Sequence, residues 1–267
     1  MQKKLARICK QSCQLSQEVG AFLCQELGKV RVSDIEHKQR NHLVSYVDKT
    51  AELRLIEGLQ AIVPEAAFLA EEGTVATEER PWLWIIDPLD GTTNFLHGLP
   101  FFSISLALQY EGETVVGIVY EANRQELFYS WKGASSAFLN GTPIQVSPTT
   151  QLQDSLLATG FPYYDFDRMS AYLNVLQTFM RDTRGLRRFG SAALDLAYVS
   201  CGRFDGYFEY SLSPWDVAAG AFLVQQAGGQ VSDFSGGTNY IHGQEIVAGN
   251  SALFQTLLAS IQKDFNP

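Results

Sequence analysis

The stretch "IIDPLDGTTNF" (Ile85–Phe95) drives an apolar run straight into two acids, Asp87 and Asp90, and then into a glycine, two threonines and an asparagine. It is either a strand ending in an ordinary polar turn, or a place where the acids hold a cation and the turn holds an anion. The preceding "WLW" (Trp82–Trp84) lengthens the apolar run, and such runs read as strands buried on both faces. On the second alternative Asp87 emerges at the strand end, Pro88 stiffens the turn and Leu89 offers its carbonyl. Asp90 then returns to the same side, so that two carboxylates and a carbonyl converge on a hard cation. Gly91, Thr92 and Thr93 follow with backbone N–H groups that, at a helix start, favour an anion.

The chain has 267 residues, 46% apolar and 18% charged. That balance is globular, and the length suits one large α/β domain or two intimate halves. A net charge of -9 speaks against direct nucleic-acid binding, because neutralising phosphates needs a basic surface. An acidic chain that handles a phosphate must take positive charge from elsewhere, and a bound metal is one source. Charges interrupt the first twenty residues, unlike a signal peptide, and "FFSISLAL" (Phe101–Leu108) is too short to span a bilayer. The expectation is a soluble, cytoplasmic protein with no membrane contact. Cys9, Cys13, Cys24 and Cys201 read as free thiols, since no CxxC or histidine cluster completes a metal set. His37, His42, His97 and His242 are scattered, and none is placed as a nucleophile.

Leu5, Ile8, Leu15, Val19, Phe22, Leu23 and Leu27 repeat at helical spacing, which predicts a helix over 2–27 ended by Gly28. A mixed segment leads to a second helix over about 49–63, stopped by Pro64. "AFLAEE" and "WLWIID" read as buried strands ending in acids. From Ser103 to Gln145 short β-rich runs alternate with polar breaks, and Asn140-Gly141 marks a tight hairpin: an antiparallel meander. Beyond it the pattern alternates strand, helix, helix, strand, helix, strand and helix. Pro214 opens the third of these helices, Gly228 follows it, and Asn250 is placed to cap the last. The basic run "RDTRGLRR" (Arg181–Arg188) reads as a solvated loop between helix and strand, the alternative being a positive patch that attracts an anionic substrate or touches a partner. The order of elements favours layered α/β (α+β) packing.

Three more apolar runs end in or near acids. "LAEEG" carries Glu71 and Glu72, "SPWDVAAG" carries Asp216 in the first turn of a helix, and "LVSYVD" ends on Asp48. Each has an ordinary reading: Glu72 as strand-end charge, Asp216 as an acid complementing the helix dipole, Asp48 as a helix N-cap. Together they are acids that could share one site. "WIIDPLDGTTNF" with "PWDVAAGAFLVQQAGG", supported in order by "AEEG", "GSAALDLAYV" and "GRFDGYFE", resembles the inositol monophosphatase family of magnesium-dependent, lithium-sensitive phosphatases. The resemblance runs from the first helix to "IVAGN" (Ile246–Asn250).

The resemblance implies a layered αβαβα sandwich, an antiparallel-rich central sheet plus a smaller second sheet, usually dimeric. Residues 1–267 form one domain of two intimate halves, with the metals and phosphate in about 1–145 and the substrate pocket in 146–267. Glu72, Asp87, Asp90 and Asp216 match metal-binding carboxylates, with Leu89 as a carbonyl ligand, for two or three Mg²⁺ ions that Mn²⁺ can replace. Gly91 and Thr92 match the phosphate-binding turn. Thr92 and Glu72 match the groups that activate the attacking water, with Asp48 supporting Thr92. Asp90, Ser191, Ala192 and Glu209 match positions lining the alcohol pocket, and Lys38 lies in a loop closing near the metals. His42 stands where similar chains often carry an acid, which removes a negative charge near the loosest metal position. The implied activity is hydrolysis of a phosphate monoester, foremost myo-inositol 1-phosphate, by direct in-line attack of water. The alternatives are a 3′-phosphoadenosine-nucleotide or fructose 1,6-bisphosphate phosphatase, or a protein that binds the transcription machinery and hydrolyses phosphate secondarily. Nucleotide-acting relatives tend to carry a lysine where Thr93 sits.

Overall fold

The computed structural model describes the chain apart from residues 32, 34, 40, 41, 77, 79, 164, 266 and 267, and leaves out the side chains of 35–39, 42 and 43. The contact expected of Lys38 and the charge change at His42 therefore lie outside the described residues. Helix α1 spans Gln2–Glu26, and Leu5, Ile8, Cys9, Ser12, Cys13, Ser16, Val19 and Leu23 form its buried face at the expected spacing. Gly28 follows at φ 78°, a left-handed turn that glycine adopts without penalty. An antiparallel hairpin, β1 (Ile35–Gln39) and β2 (His42–Ser45), leads into α2 (Tyr46–Ile62). This helix starts three residues before the expected Lys49. Its N-cap is Ser45, not Asp48; Asp48 is the third helical residue and completes a capping box with Ser45.

The chain then builds a seven-stranded sheet in sequence order: β3 (Ala67–Ala70), β4 (Trp82–Asp90), β5 (Ser103–Tyr110), β6 (Glu113–Glu121), β7 (Glu126–Trp131), β8 (Ala137–Leu139) and β9 (Thr142–Ile144). A short helix, α3 (Thr92–Leu96), sits between β4 and β5. Only the β3–β4 pair is parallel; the other neighbours are antiparallel. Asn140 and Gly141 turn the last hairpin at φ 49° and 83°, as a two-residue turn of this type requires. A five-stranded sheet follows, with α4 to α7 around it. In chain order come β10 (Leu156–Thr159), α4 (Met169–Asp182), β11 (Gly185–Arg187), α5 (Ala192–Ser200), β12 (Gly206–Tyr210), α6 (Pro214–Gln226), β13 (Gln230–Ser232), β14 (Glu245–Gly249) and α7 (Phe254–Phe265). The strand order is β11-β10-β12-β14-β13.

Period-two alternation distributes these strands among three apolar cores. Trp84 and Ile86 of β4 pack with α1 and α2, whereas Ile85 faces the other way. On that second side Ala193, Leu196 and Ala197 of α5 and Val217, Ala218 and Leu223 of α6 meet Tyr207, Ile246 and Ala248 of the small sheet. Phe208 and Val247 of the same strands turn outward to Tyr172 and Phe179 of α4 and Leu257 and Ile261 of α7. The layers therefore run helix, sheet, helix, sheet, helix, as expected. The segment Arg181–Arg188 departs from its expected reading as a loop, since β11 lies inside it. At three residues β11 is too short to print a pattern in the sequence, and so is β13 at the other edge.

Candidate active site

The acids of the opening stretch lie on a strand, not on a turn after it. Asp87 pairs with Ser105 and Asp90 with Ser103. Three residue steps on β4 thus face two on β5, which is a bulge of one extra residue. In a regular strand, positions three apart point to opposite faces. The bulge restores the parity, and both Asp87 and Asp90 line one cleft, together with Leu89, Gly91, Thr92 and Thr93. Asp87 Oδ1 accepts from Leu89 N at 2.9 Å. Gly91 N-caps α3 at φ 99°, and a Cβ there would come within 3.1–3.3 Å of Phe101 O, Gly190 O and Phe102 Cα. Only glycine suits both demands.

Thr92 connects this strand end to the first layer. Its Oγ1 lies 3.0 Å from Asp48 Oδ1 and 3.0 Å from Leu89 O. Asp48 is 1% exposed, and its Oδ2 accepts from Ser45 N and Oγ at 2.8 and 2.7 Å. Burial raises its pKa, and the hydrogen bonds from Ser45 oppose the rise.

The expectation for Glu72 is corrected here. Glu71, not Glu72, lines the cleft, and it hydrogen-bonds Asp87 and bears electrostatically on Asp48, Asp90 and Asp216. The cause is Glu52, fully buried on α2. Its Oε2 accepts from Glu72 N at 2.7 Å, and its Oε1 accepts from Thr74 N at 2.9 Å and Thr74 Oγ1 at 2.7 Å. This clamp fixes the turn after β3 and settles which of the two glutamates faces inward.

The second half of the chain closes the cleft. Asp216 is the third residue of α6, and its Oδ2 accepts from Ser213 N at 2.7 Å, a capping box. Ser191 and Ala192, expected on the alcohol side, line the cleft and also hold Asp90. Its Oδ2 accepts from Ser191 Oγ at 2.6 Å and Ala193 N at 2.8 Å at the N-terminus of α5, where a negative charge is favoured. Ser103 Oγ lies 3.1 Å from Ser191 Oγ, and Ser105 Oγ donates to Trp215 O at 3.0 Å, so the bulged ladder also grips α5 and α6. Glu209, on β12, accepts from Tyr207 OH. A Cβ on Gly160 would fall 2.0 Å from both Glu209 carboxylate oxygens, so the glycine is what leaves Glu209 its place.

These carboxylates are costly as they stand. Burial drives Asp87 well above the usual carboxylate range, and repulsion from Glu71, Asp90 and Asp216 adds to it. Asp216 is raised by burial and then by Asp90. Asp90 is pushed up to about 6 by burial, against the hydrogen bonds from Ser191 and Ala193. Asp87, Asp90 and Asp216 form no ion pair among the described residues. Crowded acids without a counter-charge fit a cation site. Among the described residues no three acidic, histidine or cysteine side chains already close on one metal position. Mg²⁺ does not require that, because it binds through one or two carboxylates and keeps several waters. The donor set of Glu71, Asp87, Asp90, Asp216 and the Leu89 carbonyl is all oxygen, as such an ion prefers.

Among the cleft residues to which the sequence alone assigns no role are Tyr163, Asp195 and, beyond its membership of the basic run, Arg188. The "GSAALDL" motif could have pointed to Asp195, an acid in an otherwise apolar helix. The basic run is dispersed: Arg181 pairs with Asp182 and Arg184 with Asp154, while Arg188 turns to Tyr163. The cysteines are free thiols; Cys9 and Cys13 are buried under the large sheet.

The sequence matches the inositol monophosphatase family over residues 4–265. The chain belongs to that family. It is 41% identical over 257 residues to Nus factor SuhB of Pseudomonas aeruginosa, covering 94% of each chain. It is 39% identical over 251 residues to the inositol-1-monophosphatase of Mesorhizobium japonicum, again covering 94% of each. The solved extragenic suppressor protein suhB from Bartonella henselae superposes with a TM-score of 0.89 at 39% identity, covering 94% of this chain and 96% of that one. In this member of the family Asp90 links two groups of acids: Glu71 bears on it, and it bears on Glu209 and Asp195. No helix among the described residues is long and apolar enough to cross a membrane.

Proposed function

We propose that the protein is a Mg²⁺-dependent phosphatase that hydrolyses the phosphate monoester of a small polyol, foremost myo-inositol 1-phosphate. The observation that carries this reading is the meeting of Glu71, Asp87, Asp90 and Asp216 in one cleft with the Asp48–Thr92 pair. The name of the Mesorhizobium japonicum relative supports the substrate. Glu71, Asp87, Asp90, Asp216 and the Leu89 carbonyl would hold two or three Mg²⁺ ions, with Mn²⁺ as a substitute. Bound there, the ions neutralise the phosphate charge and lower the pKa of a bound water.

The chain's own residues do the rest. The backbone N–H groups of Gly91 and Thr92 orient the phosphate at the start of α3. Thr92 Oγ1 donates to Asp48 Oδ1, so its lone pairs accept a hydrogen bond from the attacking water. Glu71 offers a second acceptor for the proton that water loses as it attacks phosphorus opposite the departing alcohol oxygen. Glu209 takes hydroxyls of the alcohol.

The test is phosphate release from inositol phosphates, nucleotides and sugar phosphates with Mg²⁺, with and without Li⁺. Release from an inositol phosphate, lowered by Li⁺, supports the reading; no release from any substrate overturns it. A trapped phosphoenzyme would overturn direct attack by water. The reading takes the protein as a cytoplasmic homodimer, and the exposed side chains of Leu99, Phe161 and Phe166 support the dimer. A sedimentation mass of one chain would refute the dimer. The Nus factor names of several relatives support a second role in binding a protein partner, and a pull-down from cell extract tests it.

A further inference from the structure

Two charged groups in the cleft are incompletely used. Asp195, on α5, is 1% exposed and lines the cleft. No described residue donates a hydrogen bond to its carboxylate, and its Oδ1 is a buried acceptor without a partner. Arg188 lines the same cleft. It donates one hydrogen bond, from Nη2 to Tyr163 OH at 2.6 Å, and packs 5.5 and 5.7 Å from the ring centroids of Phe161 and Tyr163. Its Nε is a buried donor without a partner. The two feel each other electrostatically yet form no ion pair. Buried polar groups in native proteins are nearly always satisfied, and each orphan asks for a missing partner.

The chemistry of the pair defines that partner. Arg188 Nε–H needs an acceptor and Asp195 Oδ1 needs a donor. A hydroxyl is both at once. Glu209, which bears on both residues, is a second carboxylate beside them. A second phosphate on the substrate would meet one guanidinium but two carboxylates, and an apolar alcohol would leave both orphans unpaired. From this geometry we infer that Arg188 and Asp195 form a hydroxyl-bridging subsite beside Glu209, which selects monophosphates of neutral polyols over bisphosphates and over alcohols without hydroxyls. The inference rests on the phosphatase reading above. Substrate hydroxyls enter directly or through an ordered water, and Asp195 recognises the alcohol, not the phosphate.

Two substrates with the same ring isolate this recognition: myo-inositol 1-phosphate and cyclohexyl phosphate. The quantity to follow is the ratio of their kcat/KM values. The wild type is expected to favour inositol 1-phosphate about 10²-fold or more, since a site built for hydroxyls rejects analogues lacking them. Asp195→Leu is expected to cut the ratio about tenfold, mainly through the KM for inositol 1-phosphate. Asp195→Asn, which keeps an acceptor oxygen, retains more of it. Arg188→Met, at the half-buried rim, provides an independent variant and is also expected to cut the ratio about tenfold. If the variants lower kcat/KM for both substrates in parallel, the two residues are structural and the subsite is refuted. A wild type that prefers fructose 1,6-bisphosphate to inositol 1-phosphate refutes it too, while leaving the phosphatase reading intact. A wild type that hydrolyses none of these substrates overturns both.

Discussion

Glu71 and Glu72 carry the same side chain one residue apart, so substitution separates them cleanly. Glu71→Gln is expected to lower kcat/KM about 10²–10⁴-fold, the range for a group that handles the reacting proton. Glu72→Gln is expected to change it a few fold at most, as measured by phosphate release under saturating Mg²⁺. The reverse ranking would return the role to Glu72. The sequence could not make this choice, because strict alternation stops where β3 ends at Ala70. Glu209 gives a second prediction at this scale. Burial pushes it up to about 8 against the opposing effects of Tyr207 and Arg188, whereas the unfolded chain has a glutamate near 4.3. A raised acid stabilises the fold below its unfolded pKa, and that stabilisation is lost as pH rises through the folded value. In EDTA the wild type should therefore lose stability between about pH 4.3 and 8, and Glu209→Gln should show a shallower loss by urea unfolding. Equal slopes would show that Glu209 is already charged in the folded protein.

At the scale of elements, the site depends on joints between layers. The bulge in β4 is one such joint, and it shows how far the sequence could be read. "WLWIIDPLD" announces a buried strand with two terminal acids, but not the extra residue opposite Ser103–Ser105. That residue depends on the register with β5, a partner choice no single stretch records. The clamp from α2 to the turn after β3 was hidden for the same reason, since Glu52 lies among ordinary helix residues in the sequence. Glu52→Gln tests the clamp. Glutamine has one carbonyl oxygen, so its amide NH₂ would face either Glu72 N or the Thr74 donors. The expected cost is about 1–3 kcal/mol for the buried donor left unpaired, seen in urea unfolding, with a lower affinity for Mg²⁺ by calorimetry. Unchanged Mg²⁺ affinity would mean that Glu71 is held by something else. Capping shows the opposite case. Pro214 opens α6 and Gly228 follows it at φ 87°, both legible because cap residues act within one turn.

For the whole molecule, the middle layer decides whether the two halves are one unit. Glu71, Asp87 and Asp90 come from before residue 145, and Glu209 and Asp216 from after it. Helix α6 packs against the large sheet so closely that a Cβ on Gly117 would lie 3.0 Å from Ala219 O. On its other side a Cβ on Gly220 would meet Leu196 Cβ at 2.5 Å. Neither half can keep its inner sheet face dry without α5 and α6, so a single cooperative transition is expected even at this length. Far-UV circular dichroism should coincide with tryptophan fluorescence, to which Trp82, Trp84 and Trp131 of the large sheet and Trp215 of α6 contribute. Gly220→Val should force α5 and α6 apart at a cost of about 1–3 kcal/mol. It should shift both curves by the same amount and also weaken Mg²⁺ binding, because the acids from the two halves meet across this layer. Two separated transitions, or a shift in only one probe, would show that the halves fold independently and that the cleft lies between two domains.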